Sequence, residues 1–330
     1  VSPTAILREY RLGTVKAVTS LPQGQCNENW RVVTDTGTYI LRKVFEERSE
    51  HDIRFELAAL DYLRRKRFAY SIPSPLSTRK GKLFVKKGKA IYWVYRYIDG
   101  ATGMRFDSRA IGAMAKCMAA LHKATRNYTT RLRRDWPSPF AVDGYLADLE
   151  SYRAIARTSR KPEDQFLSKH YDAIKEHLLF IKEHPAKKHY DRLRKQLIHC
   201  DFSVENILSK GKTVIGLIDF DNCRFDARIR DVAILLLECK RFDRKEMLDL
   251  RKAKSVIRNY NRHALSPLTK EELSLLPLLL ASEALDACLW RYYLLKHQKR
   301  NTSYTRMKQY YGLATYLLQH SERIVKELSY

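Results

Sequence analysis

The sequence predicts an α+β fold, a mostly antiparallel sheet over residues 1–98 followed by a mainly helical part over 99–330. Short β-rich runs punctuated by glycine and proline turns fill the first part. Apolar residues at helical spacing fill the second. One β-rich hairpin, over 206–219, interrupts the helical half and is flanked by acidic and amide side chains. Strands followed by helices, rather than an alternation of the two, are the α+β pattern.

Ser2 and Pro3 suit the N-cap and first turn of a short helix over 1–11. Strands follow over 15–21 and 30–34, around the turn Pro22-Gln23-Gly24-Gln25-Cys26-Asn27-Glu28-Asn29. Asp35-Thr36-Gly37 is a second tight turn into a strand over 38–45. Strand alternation puts Ile40 and Arg42 on one face and Leu41 and Lys43 on the other. A helix over 49–67 carries Phe55, Leu57, Leu60 and Leu63 at helical spacing. The rigid run Ile72-Pro73-Ser74-Pro75-Leu76 leads to a hairpin turning at Arg79-Lys80-Gly81-Lys82. The last strand, 90–98, ends at Asp99-Gly100.

Helices over 108–123, 142–157, 162–183 and 189–196 come next, with an irregular connection at 124–140. Beyond the hairpin, helical patterning resumes over 231–239, 244–261, 270–283, 285–297 and 304–327. His122 reads as a packing or helix-end residue, and Tyr292, Tyr293, Tyr310, Tyr311 and Tyr316 as core packing.

The chemistry is concentrated at His199-Cys200-Asp201-Phe202-Ser203-Val204-Glu205-Asn206 and at Leu217-Ile218-Asp219-Phe220-Asp221. Ser209-Lys210-Gly211-Lys212 reads as the hairpin turn between them. With Lys210-Gly211 as a two-residue loop, Ser209 opposes Lys212 and Asp219 falls opposite Phe202, beside Asp201 and Asn206. Two carboxylates and an amide carbonyl are hard oxygen donors suited to Mg²⁺. A carboxylate left off the metal orients a hydroxyl and accepts its proton, the division of labour of phosphoryl transfer.

These segments, with Gly216 and the run Asp226-Ala227-Arg228-Ile229-Arg230-Asp231-Val232-Ala233, resemble the aminoglycoside phosphotransferase and choline kinase superfamily. Within it the resemblance is to homoserine kinase-like small-molecule kinases, through most of residues 20–240. It implies a two-lobed protein-kinase-like fold with ATP in the cleft. It implies transfer of the γ-phosphate to a hydroxyl of a small metabolite, a homoserine-like amino alcohol being favoured. By the same resemblance Asp201 is the base, Asn206 and Asp219 hold Mg²⁺, and Asp221 is a second metal contact. His199 braces the loop and Asp231 supports it. In the small lobe, the turn containing Gly24 lies over the nucleotide phosphates. Arg42 aligns with the phosphate-holding lysine, and Lys43 is the alternative; a guanidinium also grips phosphate. Glu56 offers its carboxylate to the strand cation, and backbone groups of Tyr97 and Ile98 meet adenine. The helices over 142–196 wall the acceptor pocket. The second reading is a catalytically silent relative of the spore-coat-associated type, which the segment 291–299 resembles.

The chain carries 62 Lys and Arg against 37 Asp and Glu, a net charge of +25. Such a charge attracts nucleic acids and anionic surfaces non-specifically. The cations are spread along the chain without a nucleic-acid-reading motif, so no specific nucleic-acid partner is expected. A positive field repels polycations, which favours a neutral or anionic metabolite over an aminoglycoside. No apolar run reaches the roughly 18 residues of a membrane span. The N-terminal residues lack the form of a signal peptide. Six scattered cysteines without a C-x-x-C pair predict reduced thiols in a cytoplasmic protein. The oligomeric state is left open.

Overall fold

A computed structural model describes residues 2–21, 26–132, 134, 136–298 and 302–329. Helix α1 (Pro3–Leu7) is capped by Ser2, whose hydroxyl accepts from Ala5 N at 3.3 Å. It is shorter than expected because Tyr10 leaves it to bridge Thr78. Strands β1 (Val15–Ser20), β2 (Glu28–Thr34), β3 (Thr38–Lys43), β4 (Val85–Lys87) and β5 (Ala90–Arg96) form an antiparallel sheet ordered β1-β2-β3-β5-β4. Between β3 and β4 runs α2 (Glu50–Arg65), opened by a capping box in which Ser49 and Asp52 satisfy each other's backbone N–H.

Side chains alternate across β3 as a pleated strand requires. Tyr39 and Leu41 pack with Ile6, Leu7 and Tyr10 on the outer face. Ile40 faces the main core, with Phe55, Leu60 and Leu63 of α2. Each such fully buried side chain contributes about 1.5–3 kcal/mol. Arg42 therefore emerges on the inner face, towards the helical body.

That body consists of α3 (Ser108–Thr125), α4 (Asp143–Thr158), α5 (Pro162–Glu183), α6 (Ala186–Arg192), β6 (Lys195–Ile198), β7 (Ile207–Lys210), β8 (Thr213–Leu217), β9 (Arg224–Ala227), α7 (Arg228–Leu236), α8 (Leu250–His263), α9 (Lys270–Ser274), α10 (Leu276–Gln298), α11 (Thr302–Gln319) and α12 (Ser321–Leu328). The helix expected over 189–196 stops at Arg192, and Lys195–Ile198 becomes a strand paired antiparallel with β9. The helices expected over 270–283 and 285–297 are instead α9 and one continuous α10, since no breaker stands at Ala284. The helix expected from 244 starts only at Leu250, where Asp249 caps it. Among the described residues no helix is long and apolar enough to cross a membrane.

The β7–β8 hairpin differs from its expected register. Lys210 opposes Thr213, and Ile215 is bulged out, so that Leu208 faces Gly216 and Ile207 faces Leu217. Gly211 takes the left-handed conformation (φ 60°) and shifts the turn to Gly211-Lys212. Ile218 N donates to Asn206 O at 2.9 Å, so Asp219 lies one residue past that pair, beside Asn206, rather than facing Phe202. The bulge has a partner. Ser71 N donates to Ile215 O at 2.8 Å, and Leu217 N donates to Ser71 O at 2.9 Å. A Cβ on Gly216 would lie 2.9 Å from Ser71 O, so only glycine allows this approach.

Candidate active site

The loop from β6 to β7 hangs on one buried carboxylate. Asp231, in the first turn of α7, accepts from His199 N at 3.0 Å and from Cys200 N at 2.6 Å. Cys200 is left-handed (φ 60°), a conformation unfavourable for a side chain with a Cβ, and these bonds hold it there. His122 Nε2 lies 2.9 Å from Asp231 Oδ2, and His122 Nδ1 lies 2.8 Å from the Tyr260 hydroxyl. Burial opposes the charge of Asp231, but the hydrogen bond and charge of His122 outweigh it and hold its carboxyl below the usual range. His199 Nε2 is 3.0 Å from Ile218 O. A carbonyl only accepts, so Nε2 carries the proton and buried Nδ1 has no partner among the described residues. Burial lowers the His199 pKa, in keeping with a neutral ring.

Asp201 is half-buried at the tip of this loop, and Asn206 Nδ2 donates to its main-chain oxygen at 2.9 Å. Burial and the charge of Asp219 push the Asp201 carboxyl up to about 7. At the end of β8, Asp219 is left-handed (φ 65°, ψ 63°) and opens a 3₁₀ turn, Phe220–Asn222. That kink presents Asp219 and Asp221 to the sheet. Arg42 Nη1 donates to Asp219 Oδ1 at 3.1 Å and to Asp221 Oδ1 at 2.9 Å, while Arg42 Nε donates to Asn29 Oδ1 at 3.2 Å. Arg48 Nη1 lies 2.7 Å from Glu56 Oε2 and 3.1 Å from Asp221 Oδ1. Asn27 Nδ2 donates to Asp221 Oδ2 at 2.6 Å. Burial works against the charge of Asp221, but Arg42 and Arg48 outweigh it and hold the carboxyl at about 2. Burial and Asp221 push Asp219 up to about 6 and Glu56 up to about 7.

The structure thus brings Asp201, Asn206, Asp219, His199, Asp231 and Arg42 to one place. Other expectations are corrected. Glu56 pairs with Arg48, not with the strand cation, because Arg42 is drawn to Asp219 and Asp221. Lys43 points the opposite way, as alternation demands, and binds Glu28 at 2.6 Å. Asp221 has both oxygens engaged by Arg42, Arg48 and Asn27, since the chain does not stay extended past Asp219. Tyr97 N already donates to Thr38 O at 3.0 Å and is not open to a ligand, whereas Ile98 is half-buried beside it. Gly24 lies outside the described residues.

Several site residues carried no signal in the sequence. Arg48 is a lone cation before the Ser49 cap, and Asn27 is one of several polar turn residues. Arg134 donates to the main-chain oxygens of Asp221 and Cys223, the latter at 3.1 Å, and pairs with Asp52 at 3.1 Å. His122 is the second support of Asp231 rather than a packing residue. On the helical side, Arg230 bridges Glu283 at 2.7 Å and Asp226 at 3.0 Å. Arg224 donates to Asn222 O at 3.0 Å and lies 4.1 Å from the Trp136 ring centre. Beside them on α10, burial and the neighbouring Glu283 push the Asp286 carboxyl up to about 6.

The donor set fits a hard divalent cation. More carboxylates than guanidiniums meet here, and burial pushes up both Asp201, with the charge of Asp219, and Asp219, with the charge of Asp221, a surplus of negative charge that a cation relieves. Asn206, donating through Nδ2, keeps its Oδ1 as an oxygen donor.

Comparison with known proteins agrees with this geometry. The profile described as "Phosphotransferase enzyme family" (APH) matches residues 17–268. The homoserine kinase of Sinorhizobium medicae is 26% identical over 288 residues, 87% of this chain and 82% of the relative. Among solved structures, spectinomycin phosphotransferase in complex with ADP and spectinomycin superposes with a TM-score of 0.69 at 13% identity, covering 95% of this chain and 96% of the other. A microcompartment-associated aminopropanol kinase gives 0.66 at 19% identity, covering 97% and 95%. With its antiparallel sheet set on a helical body, the chain belongs to the APH phosphotransferase family, as a small-molecule kinase of protein-kinase-like fold that phosphorylates an alcohol group.

Proposed function

We propose that this protein transfers the γ-phosphate of ATP to the hydroxyl of a homoserine-like amino alcohol, with Mg²⁺, in a cleft between lobes that meet at residues 98 and 99. The observation that carries the reading is the convergence of Asp201, Asn206 and Asp219 at the end of one hairpin, facing Arg42. Asn206 and Asp219 would hold Mg²⁺, which when bound would supply neutralisation of the phosphate charge. Asp201, fixed in place through the Asp231 bonds to its loop, orients the acceptor hydroxyl and takes its proton as the phosphoryl group moves. Arg42, released from Asp219 and Asp221 as nucleotide enters, grips phosphate oxygens. Ile98 offers backbone groups to adenine. His199 keeps the loop and the β8 end together through Ile218 O.

The acceptor reading rests on the helical side. An ammonium group suits Asp286 and Glu283, and a carboxylate suits Arg224; homoserine carries both. The relatives named homoserine kinase and the aminopropanol kinase neighbour support an amino alcohol. The test is a panel of homoserine, aminopropanol, choline, ethanolamine and simple sugars with MgATP, followed by ADP release. Turnover is expected to be fastest with homoserine. ATP binding with no acceptor-dependent ADP release across the panel would overturn the reading.

A further inference from the structure

A second concavity, of about 700 Å³, lies on another side of the hinge. Its lining comes from the end of α2, the segment 67–76, residues 96–99 and the β7–β8 hairpin. None of β1–β3, the 199–206 loop or the Asp219 turn contributes, so it is separate from the catalytic cluster. The volume is that of a metabolite site.

Its rim is cationic, with Arg64, Arg67, Arg96 and Lys210. The carboxylate in the lining, Asp99, is taken by Lys210 at 2.8 Å. Arg64 pairs with Asp61 at 2.7 Å. Among the described residues neither Arg67 nor Arg96 has a carboxylate partner; the Arg96 guanidinium lies over the Tyr39 ring, 5.5 Å from its centre, a stacking that uses its face and leaves its N–H groups to an anion. The walls between them are apolar and aromatic, with Phe68, Ile72 and Leu76.

Arg67 adds an independent observation. Helix α2 ends in a left-handed residue: Arg67 has φ 52°, its N–H returns to Arg64 O at 3.0 Å, and Phe68 N returns to Leu63 O at 3.0 Å. This is the position where glycine relieves the strain of a left-handed backbone. An arginine here works against the fold locally, and its side chain borders the groove. Backbone strain of this kind clusters at ligand clamps as well as at helix ends, and here it coincides with a cavity.

We propose that this groove binds a small organic anion, a phosphate monoester with an apolar body, its phosphate between Arg67 and Arg96 and its body against Phe68 and Ile72. Such an occupant touches α2, which carries Glu56, the hinge, and the hairpin that ends in Asp219. This inference stands apart from the assignment of the acceptor.

The probe is phenyl phosphate, titrated by calorimetry into protein saturated with Mg²⁺ and a non-hydrolysable ATP analogue, so that the nucleotide cleft is filled. Saturable binding is expected, weakened at least tenfold in Arg67→Gly and in Arg96→Gln, and absent for benzyl alcohol. Arg67→Gly is expected to melt at or above the wild-type temperature, which separates lost binding from lost folding. Equal affinity in wild type and both variants, no saturable binding, or equal binding of benzyl alcohol would each overturn the proposal.

Discussion

Arg42 Nη1 stands 3.1 Å from Asp219 Oδ1 and binds Asp221 with the same nitrogen, so a single guanidinium ties the sheet to both carboxylates of the turn after β8. An ammonium in its place lacks the fork and the second anchoring nitrogen that holds Asn29. Arg42→Lys is therefore expected to raise the KM for MgATP about ten- to a hundredfold, from charged hydrogen bonds worth about 1.5–3 kcal/mol. Initial rates at varied MgATP check this, and an unchanged KM would remove Arg42 from phosphate binding.

Asp201→Asn keeps the shape of the loop and removes the proton acceptor. Its kcat is expected to fall by about 10²–10⁴-fold, with the Kd for ADP within a factor of about two of wild type. Turnover near the wild-type rate would assign the base elsewhere.

Asp231 holds His199 N, Cys200 N and His122 at once. Asp231→Ala strands those buried donors, and the loss of a buried partner of this kind costs about 3–5 kcal/mol. Urea denaturation is expected to show this as a lower midpoint. In Asp231→Ala, adding His122→Ala should cost less than it does alone, because the partner is already gone.

Asp286, as the proposed partner of the acceptor's ammonium group, adds a pH dependence of its own. Its carboxyl is pushed up to about 6 by burial and then by Glu283. A raised carboxyl is neutral, and binds no ammonium, at low pH. The kcat/KM for homoserine should therefore rise as pH passes upward through about 6, and in Asp286→Asn that step should be lost, leaving a low profile with only the rise near 7 that belongs to Asp201. The stability effect runs the other way: a carboxyl whose folded pKa is raised favours the fold below its unfolded pKa, and that advantage is lost as pH rises through about 6. Relative to wild type, Asp286→Asn should melt higher at pH 8 than at pH 4, measured by thermal unfolding.

Much of this was legible in local sequence. The pleat of β3 separates Arg42 from Lys43, and the Asp201–Asn206 run and Asp219 declare their chemistry by type and order. The capping residue Ser49 and the prolines at the starts of α1 and α5 mark their helices from one position each. What local pattern does not carry is pairing over distance. β6 and β9 are short runs that become strands only against each other, and Glu56 takes Arg48 because Arg42 is claimed by carboxylates far along the chain. His122 looks like any helix-end histidine until Asp231 and Tyr260 are folded onto it. The hairpin register changes first at the turn, where the left-handed Gly211 moves the loop to Gly211-Lys212, and again at the Ile215 bulge, which a backbone bond from Ser71 holds.

That pair of bonds, from Ser71 N to Ile215 O and from Leu217 N to Ser71 O, makes the two halves of the molecule share a spine beside Gly216. A rotation of one half against the other about an axis near this seam would keep both bonds, whereas displacement at the seam itself would break them.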